Sequence, residues 1–157
     1  ATATTGPTAR SSKAWPERTC MQETKDSTDT EVAYRLDPFP SEEELAPLWR
    51  SAWGDDWGGD LAFILTRSLT HAAAYAGDRM VGYVNVAWDG GVHAFLLDTT
   101  VDPEFQRRGI ATELVQRVTE AARERGAHWL HVDYEPKLDG FYKACGFRPT
   151  AAGLIRL

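Results

Sequence analysis

The hydrophobic pattern changes period at Pro103, and that single change limits the fold more than any other feature of the chain. Before it, His71 to Ala76, Met80 to Trp88 and Val92 to Val101 read as three strands. A Gly77-Asp78 turn and an Asp89-Gly90-Gly91 turn separate them, which predicts an antiparallel meander. After it, Ile110, Leu114, Val115, Val118, Ala121 and Ala122 form one apolar stripe at helical spacing that stops at Gly126. A half-apolar sheet and a helix with one apolar stripe bury those surfaces most simply against each other.

The flanks extend this layered reading. Glu31 to Leu36 alternates as a short strand ended by Pro38 and Pro40, and Ser41-Glu42-Glu43-Glu44 has the arrangement of a helix capping box. Leu45, Leu48, Trp49 and Trp53 then recur at helical spacing up to Gly54, with Trp49 and Trp53 expected to face the core. Residues 61 to 69 read as a second helix, Trp129 to Asp133 as a strand, Leu138 to Cys145 as a short helix capped by Gly146, and Gly153 to Leu157 as a last strand. The expected fold class is therefore α/β (α+β): one domain over residues 30 to 157, with a mixed, mostly antiparallel sheet flanked by helices. Residues 1 to 29 are polar and aperiodic and read as a flexible extension.

Composition bears on function mainly by exclusion. The 157 residues carry 17 Lys and Arg against 23 Asp and Glu, a net charge of -6, which disfavours a nucleic-acid partner held through phosphates. No apolar run is long enough to span a membrane. Two cysteines, Cys20 and Cys145, make no disulfide framework or metal spacing, so a cytoplasmic setting is the expectation. No metal is expected: His128 and His131, three apart on a strand, point to opposite faces, while His71 and His93 stand isolated. Arg123, Glu124 and Arg125 read as a solvated helix face.

The chemistry concentrates where the third meander strand turns into the long helix, from Thr99 to Thr112. The first amides of a helix lack internal partners and sit at the positive end of its dipole, so an anion is stabilised there. Gly109 and Ala111 leave room for ligand oxygens to approach the backbone, and Arg107 and Arg108 add charge. The segment contains neither the Walker P-loop pattern nor the Rossmann glycine pattern.

Gln106-x-x-Gly109-x-Ala111, following Val101-Asp102-Pro103, resembles motif A (Q/R-x-x-G-x-G/A) of the GCN5-related N-acetyltransferase family. Tyr142-Lys143-Ala144-Cys145-Gly146-Phe147 resembles that family's late Tyr-x-x-x-Gly-Phe element, with the strand Trp129 to Asp133 between the two as the family order requires. The similarity covers roughly residues 31 to 157. It implies acetyl-CoA as donor, with the pyrophosphate on backbone amides of Arg107, Arg108, Gly109, Ile110, Ala111 and Thr112, and Gln106 belonging to the same loop. It also implies a pantetheine arm pairing with backbone at Thr99 and Val101, as in strand addition. Tyr142 is implied as the general acid that protonates the leaving thiolate, the alternative being a packed Tyr beside Phe141 and Phe147 with its hydroxyl in water. Where the family often has an Asn seven residues before this Tyr, the chain has Glu135.

The family's general base varies. Asp98, three residues before Val101 with Leu97 and Thr99 facing the other way, is the first candidate, with Asp133 and Glu135 behind it. The acceptor side in this family lies around the first two helices, and here Trp53, Asp55 and Asp56, with Glu135, are the candidate acceptor-binding residues for a small, cationic primary amine. Asp55, Asp56 and Asp60 could equally solvate the loop or cap the next helix. The implied activity is N-acetyl transfer by direct attack in a ternary complex. A non-catalytic acyl-CoA sensor or an enzyme for longer acyl donors are the alternatives, and the sequence leaves a homodimer open.

Overall fold

The computed structural model describes residues 31–157, so the expected extension over residues 1 to 29 lies outside the described residues. The elements are β1 (Val32–Leu36), α1 (Glu42–Trp53), α2 (Leu61–Leu65), β2 (Ser68–Ala76), β3 (Arg79–Trp88), β4 (His93–Val101), α3 (Ile110–Glu124), β5 (Trp129–Val132) and α4 (Asp139–Ala144). Single 3₁₀ turns at Pro103–Phe105 and Pro136–Leu138 precede α3 and α4.

The five strands form one sheet in sequence order. Pairing is antiparallel from β1 to β4 and parallel between β4 and β5. On one face lies α3, whose six stripe residues from Ile110 to Ala122 are all buried; Ile110, Leu114, Val115, Val118 and Ala122 pack with Ala72, Ala74, Val81, Val84, Val86, Ala94 and Leu96. On the other face, Leu45 and Leu48 of α1 and Leu61 and Leu65 of α2 cover Ala73, Tyr75, Met80 and Tyr83.

The helix starts follow from local chemistry. The Ser41 hydroxyl accepts from the Glu44 amide while the Glu44 carboxylate accepts from the Ser41 amide, the reciprocal pair expected of a capping box. The Asp60 carboxylate caps α2 by accepting from the Phe63 amide. At Gly82, an added Cβ would sit 2.9 Å from Leu114 Cδ1 and 3.1 Å from Ile110 Cγ2, so the missing side chain lets the first turns of α3 lie directly on the sheet.

Five expectations are corrected. The second helix ends at Leu65 rather than residue 69, because Ser68 is already paired with Ala87 and its hydroxyl donates to Asn85 Oδ1 at 2.6 Å. No strand forms over Gly153–Leu157: these residues have no ladder partner, and Leu154 and Ile155 are 87% and 85% exposed. Trp53 does not face the core. It is 57% exposed, and the buried stripe of α1 is Leu45 and Leu48. His93 is not isolated, because the parallel register sets Phe95 beside His131 and brings His93 Nδ1 within 2.9 Å of His131 Nε2. Arg125 is not merely a solvated residue: it donates to the Leu69 carbonyl at 2.6 Å and to Asp37 Oδ2 at 2.5 Å, tying the end of α3 to β1 and β2.

Candidate active site

Strand β4 leaves its parallel neighbour halfway along. Pairing with β5 runs from His93↔Trp129 to Leu96↔Val132, whereas β4 continues to Val101 and stays paired with β3 to the end. Residues 97 to 101 thus present a strand edge that β5 does not cover. Thr99 and Val101 both lie on this stretch, and the Val101 carbonyl accepts from the Gln106 side-chain amide at 3.2 Å.

That edge leads directly into the start of α3. Gly109 is the N-cap at φ 82°, with no side-chain capping bond, and Arg107 is also left-handed at φ 61°. The first backbone bond of the helix runs from the Glu113 amide to the Gly109 carbonyl. The amides of Ile110, Ala111 and Thr112 precede it and have no intrahelical acceptor, so they and the helix dipole are available to an anion. Nothing lies within 4 Å of a Cβ built on Gly109, which leaves open space above the turn. The guanidinium of Arg108 lies 4.9 Å from the Phe105 ring and donates to the Glu104 carbonyl, while Arg107 is exposed.

Asp102, which the sequence reading used only as part of a motif, anchors this turn. Its buried carboxylate accepts from the Glu104 amide at 3.0 Å, from Arg79 Nη2 at 2.6 Å and from the Ser51 hydroxyl at 3.2 Å. A buried carboxylate is stable only with such partners, and here they come from α1, β3 and the loop itself.

Asp98 sits on a β-bulge. Asn85 pairs with Leu97 and Tyr83 with Thr100, so Asp98 and Thr99 together oppose the single residue Val84. Asp98 takes a left-handed φ of 57°. Simple alternation, which set Leu97 and Thr99 against Asp98, therefore fails here. Thr99 meets Tyr142 of α4, while the charge of Asp98 reaches the Tyr83 phenol. Burial pushes the half-buried Asp98 carboxyl above the usual carboxylate range, and no hydrogen bond or ion pair holds it among the described residues. Tyr142 is 5% exposed, packed between Tyr134 at 4.7 Å, Phe141 and Phe147, so its ring is in the core rather than in water. Burial pushes its phenol up, with the Thr99 hydroxyl pulling it partly back.

The candidate acceptor residues are not equivalent. Trp53 reaches the bulge by donating its indole N–H to Thr100 Oγ1 at 3.1 Å, and it lies beside Trp49, which also contacts Trp57. Asp56 is held by Arg50 at 2.8 Å, Glu135 pairs with Lys137 at 2.6 Å, and Asp60 serves as the α2 cap. Asp55 is exposed with no ion pair among the described residues. Cys145 is a half-buried free thiol whose pKa burial raises, the reverse of an activated nucleophile. Among the described residues, no three His, Cys, Asp or Glu side chains are arranged to hold a metal ion, and no helix is long and apolar enough to cross a membrane.

An uncovered strand edge leading into an uncapped helix start, with a buried Tyr beside it, gives this α+β fold an arrangement able to take an extended anionic ligand. The sequence model of the acetyltransferase (GNAT) family matches residues 32–147, and the chain belongs to that family. Among curated relatives, it is 40% identical over 106 residues to glucosamine 6-phosphate N-acetyltransferase 1 of Oryza sativa subsp. japonica, covering 67% of this chain and 58% of that one. It is 32% identical over 76 residues to GCN5-related N-acetyltransferase 1, chloroplastic, of Arabidopsis thaliana, covering 48% of this chain and 39% of that protein. The matched stretches thus span between 39% and 58% of these two relatives. Among solved structures, a probable acetyltransferase from meticillin-resistant Staphylococcus aureus superposes with a TM-score of 0.69 at 20% identity, covering 81% of this chain and 99% of that one. An aminoglycoside N-acetyltransferase in complex with CoA superposes at 0.65 with 18% identity, covering 81% and 94%.

Proposed function

We propose that this protein transfers an acetyl group from acetyl-CoA to a primary amine of a small acceptor. The observation that carries the reading is the uncovered edge of β4 running straight into the uncapped start of α3. The CoA pyrophosphate takes the amides of Ile110, Ala111 and Thr112, with Arg107 and Arg108 beside it, and the pantetheine arm pairs along Thr99 to Val101. Val101's carbonyl is then shared with, or released by, Gln106.

In this reading Asp98, directly or through water, takes the proton from the acceptor ammonium. The free amine attacks the thioester carbonyl, the C–S bond breaks as Tyr142 protonates the departing sulfur, and the proton left on the new amide nitrogen passes through water to restore the Tyr142 phenol. The raised carboxyl of Asp98 suits a base, because a carboxyl nearer neutrality is a better proton acceptor, and the buried phenol of Tyr142 stays protonated until the thiolate forms. The elevated pKa of Cys145 supports direct transfer over an acyl-enzyme.

The acceptor enters between Trp53, Asp55 and the β4 bulge. With Asp56 committed to Arg50, the acidic wall is smaller than the sequence suggested, and an amino sugar is the first class to test. That choice is supported by a relative named for glucosamine 6-phosphate and by fold neighbours named for aminoglycosides. A cytoplasmic setting suits a free thiol, although two relatives are named chloroplastic. A homodimer is supported by the β4–β5 face, which exposes Phe95, Leu97 and Trp129.

Calorimetric titration with acetyl-CoA, beside Gly109→Glu, tests the donor. Micromolar binding by the wild type, lost in the variant, is expected, followed by thiol release with glucosamine 6-phosphate or an aminoglycoside. Absence of wild-type binding would overturn the reading.

A further inference from the structure

Tyr83 took no part in the sequence reading of the site, yet its environment is unusual. It is the largest fully buried side chain described, and its hydroxyl has no hydrogen-bond partner. A buried hydroxyl left unpaired loses its hydration and gets nothing back, so such a group is retained at a cost in stability. Tyr83 pairs with Thr100 across the β3–β4 ladder, immediately beside the bulge that carries Asp98. Both Tyr83 and Thr100 lie on the sheet face covered by α1: Tyr83 packs with Leu45 and Leu48, and the Thr100 hydroxyl meets Trp53.

We propose that Tyr83 is a positioning residue for Asp98, its hydroxyl serving as the buried donor that engages the Asp98 carboxylate from beneath the bulge. The inference rests on the reading of Asp98 as the base. The left-handed backbone of Asp98, in a bulge beside the Tyr83–Thr100 pair, takes its side chain out of the ordinary alternation, and the Tyr83 hydroxyl is the unpartnered donor on the neighbouring strand. The contact orients one carboxylate oxygen and leaves the other for the acceptor ammonium.

The ionisable groups on the neighbouring elements have partners of their own. From α1, Arg50 is committed to Asp56; from β3 and the loop, Arg79 is committed to Asp102 and Glu104; from α4, Tyr142 meets Thr99; and from β5, His131 meets His93. Asp98 and Tyr83 do act on each other electrostatically, since burial first and then the Asp98 charge push the Tyr83 phenol far above its ordinary range. The fully buried ring cannot touch the acceptor itself, so its effect runs through Asp98.

The test is a carboxyl-carbon NMR titration of ¹³C-Asp-labelled full-length protein, with the Asp98 signal assigned by its loss in Asp98→Asn. Tyr83→Phe removes only the hydroxyl and keeps the buried ring, so the variant should fold. Its Asp98 pKa should rise by about one unit, the size of one lost hydrogen bond to a carboxylate. An Asp98 pKa unchanged in Tyr83→Phe would overturn the inference. Acetyl transfer measured separately in Asp98→Asn tests the underlying reading: wild-type turnover there would remove Asp98 as base, and with it the catalytic meaning of the contact, whatever the titration shows.

Discussion

Trp53 and Thr100 join the helical and sheet halves of the site through one hydrogen bond, from the indole N–H to the threonine hydroxyl at 3.1 Å. The Thr100 hydroxyl in turn donates to the Asp98 carbonyl at 3.0 Å, so the end of α1 is linked to the backbone of the bulge.

Trp53→Phe keeps an aromatic surface and removes that donor. Thr100 is buried, and a buried hydroxyl deprived of one partner costs about 1 kcal/mol. We expect acetyl transfer to fall by roughly tenfold, the equivalent of about 1.4 kcal/mol, with acetyl-CoA affinity unchanged. Steady-state kinetics beside calorimetry separate the two effects.

Gly82 controls how closely α3 approaches the sheet. In Gly82→Val the new side chain meets Leu114 and Ile110, which are themselves buried and cannot step aside without moving the helix. Overpacking of this kind costs about 1–3 kcal/mol. The expected result is a lower melting temperature together with weaker acetyl-CoA binding, because Ile110 is the first residue of the helix whose start is proposed to hold the pyrophosphate. A stability loss with intact donor affinity would show that the turn tolerates the shift.

Tyr142→Phe tests the proposed acid. The ring packs among Tyr134, Phe141 and Phe147 and would stay in place without its hydroxyl. Loss of a positioned acid typically costs 10² to 10⁴ in rate. We expect kcat to fall by at least about 10²-fold with little change in acetyl-CoA affinity, and equal kcat in the two proteins would remove Tyr142 from the role.

Stability should fall on mild acidification because of a cluster far from the site. Buried His71 accepts the Phe39 amide at Nε2, 3.0 Å away, so the fold requires its neutral form. Burial first, and Arg125 further, hold its pKa below the ordinary value despite the opposing charge of Asp37. For Asp37, burial pushes upward, but hydrogen bonds from Arg125, the His71 amide and Thr70, with the Arg125 charge, outweigh it and leave the carboxyl below its usual range. Both folded pKa values are depressed, so both contributions are present at neutral pH. The His71 contribution is lost as pH falls below about 6.5 and that of Asp37 below about 3.9, where the unfolded chain binds protons first. Thermal melts from pH 7.5 to 4 should show the decline, and His71→Gln should flatten its upper part.

Much of the molecule was legible locally. The capping box at Ser41, the stripe of α3 and the glycine-bearing turn at Gly109 depend on residues within one or two helical turns of each other, so spacing alone located them. The outward turn of Trp53, the meeting of His93 with His131 and the role of Arg79 in holding Asp102 depend on partners 23 to 47 positions away. No periodicity carries that information. Gly82 and Tyr83 left a trace in the sequence, a glycine beside an aromatic in a strand that is otherwise almost continuously apolar, but nothing local assigned that trace to α3 or to Asp98.

The sequence by itself determined the layers and the start of the long helix α3, because hydrophobic period, caps and glycine conformations act over a few residues. Only the tertiary structure decided how the site is assembled. The departure of β4 from β5, the bulge that turns Asp98 out of alternation and the burial of Tyr83 and Tyr142 arise from strand register and packing between distant elements. A one-residue insertion in a ladder changes which face every neighbouring side chain meets, and register is set only when all five strands and four helices have closed on one another.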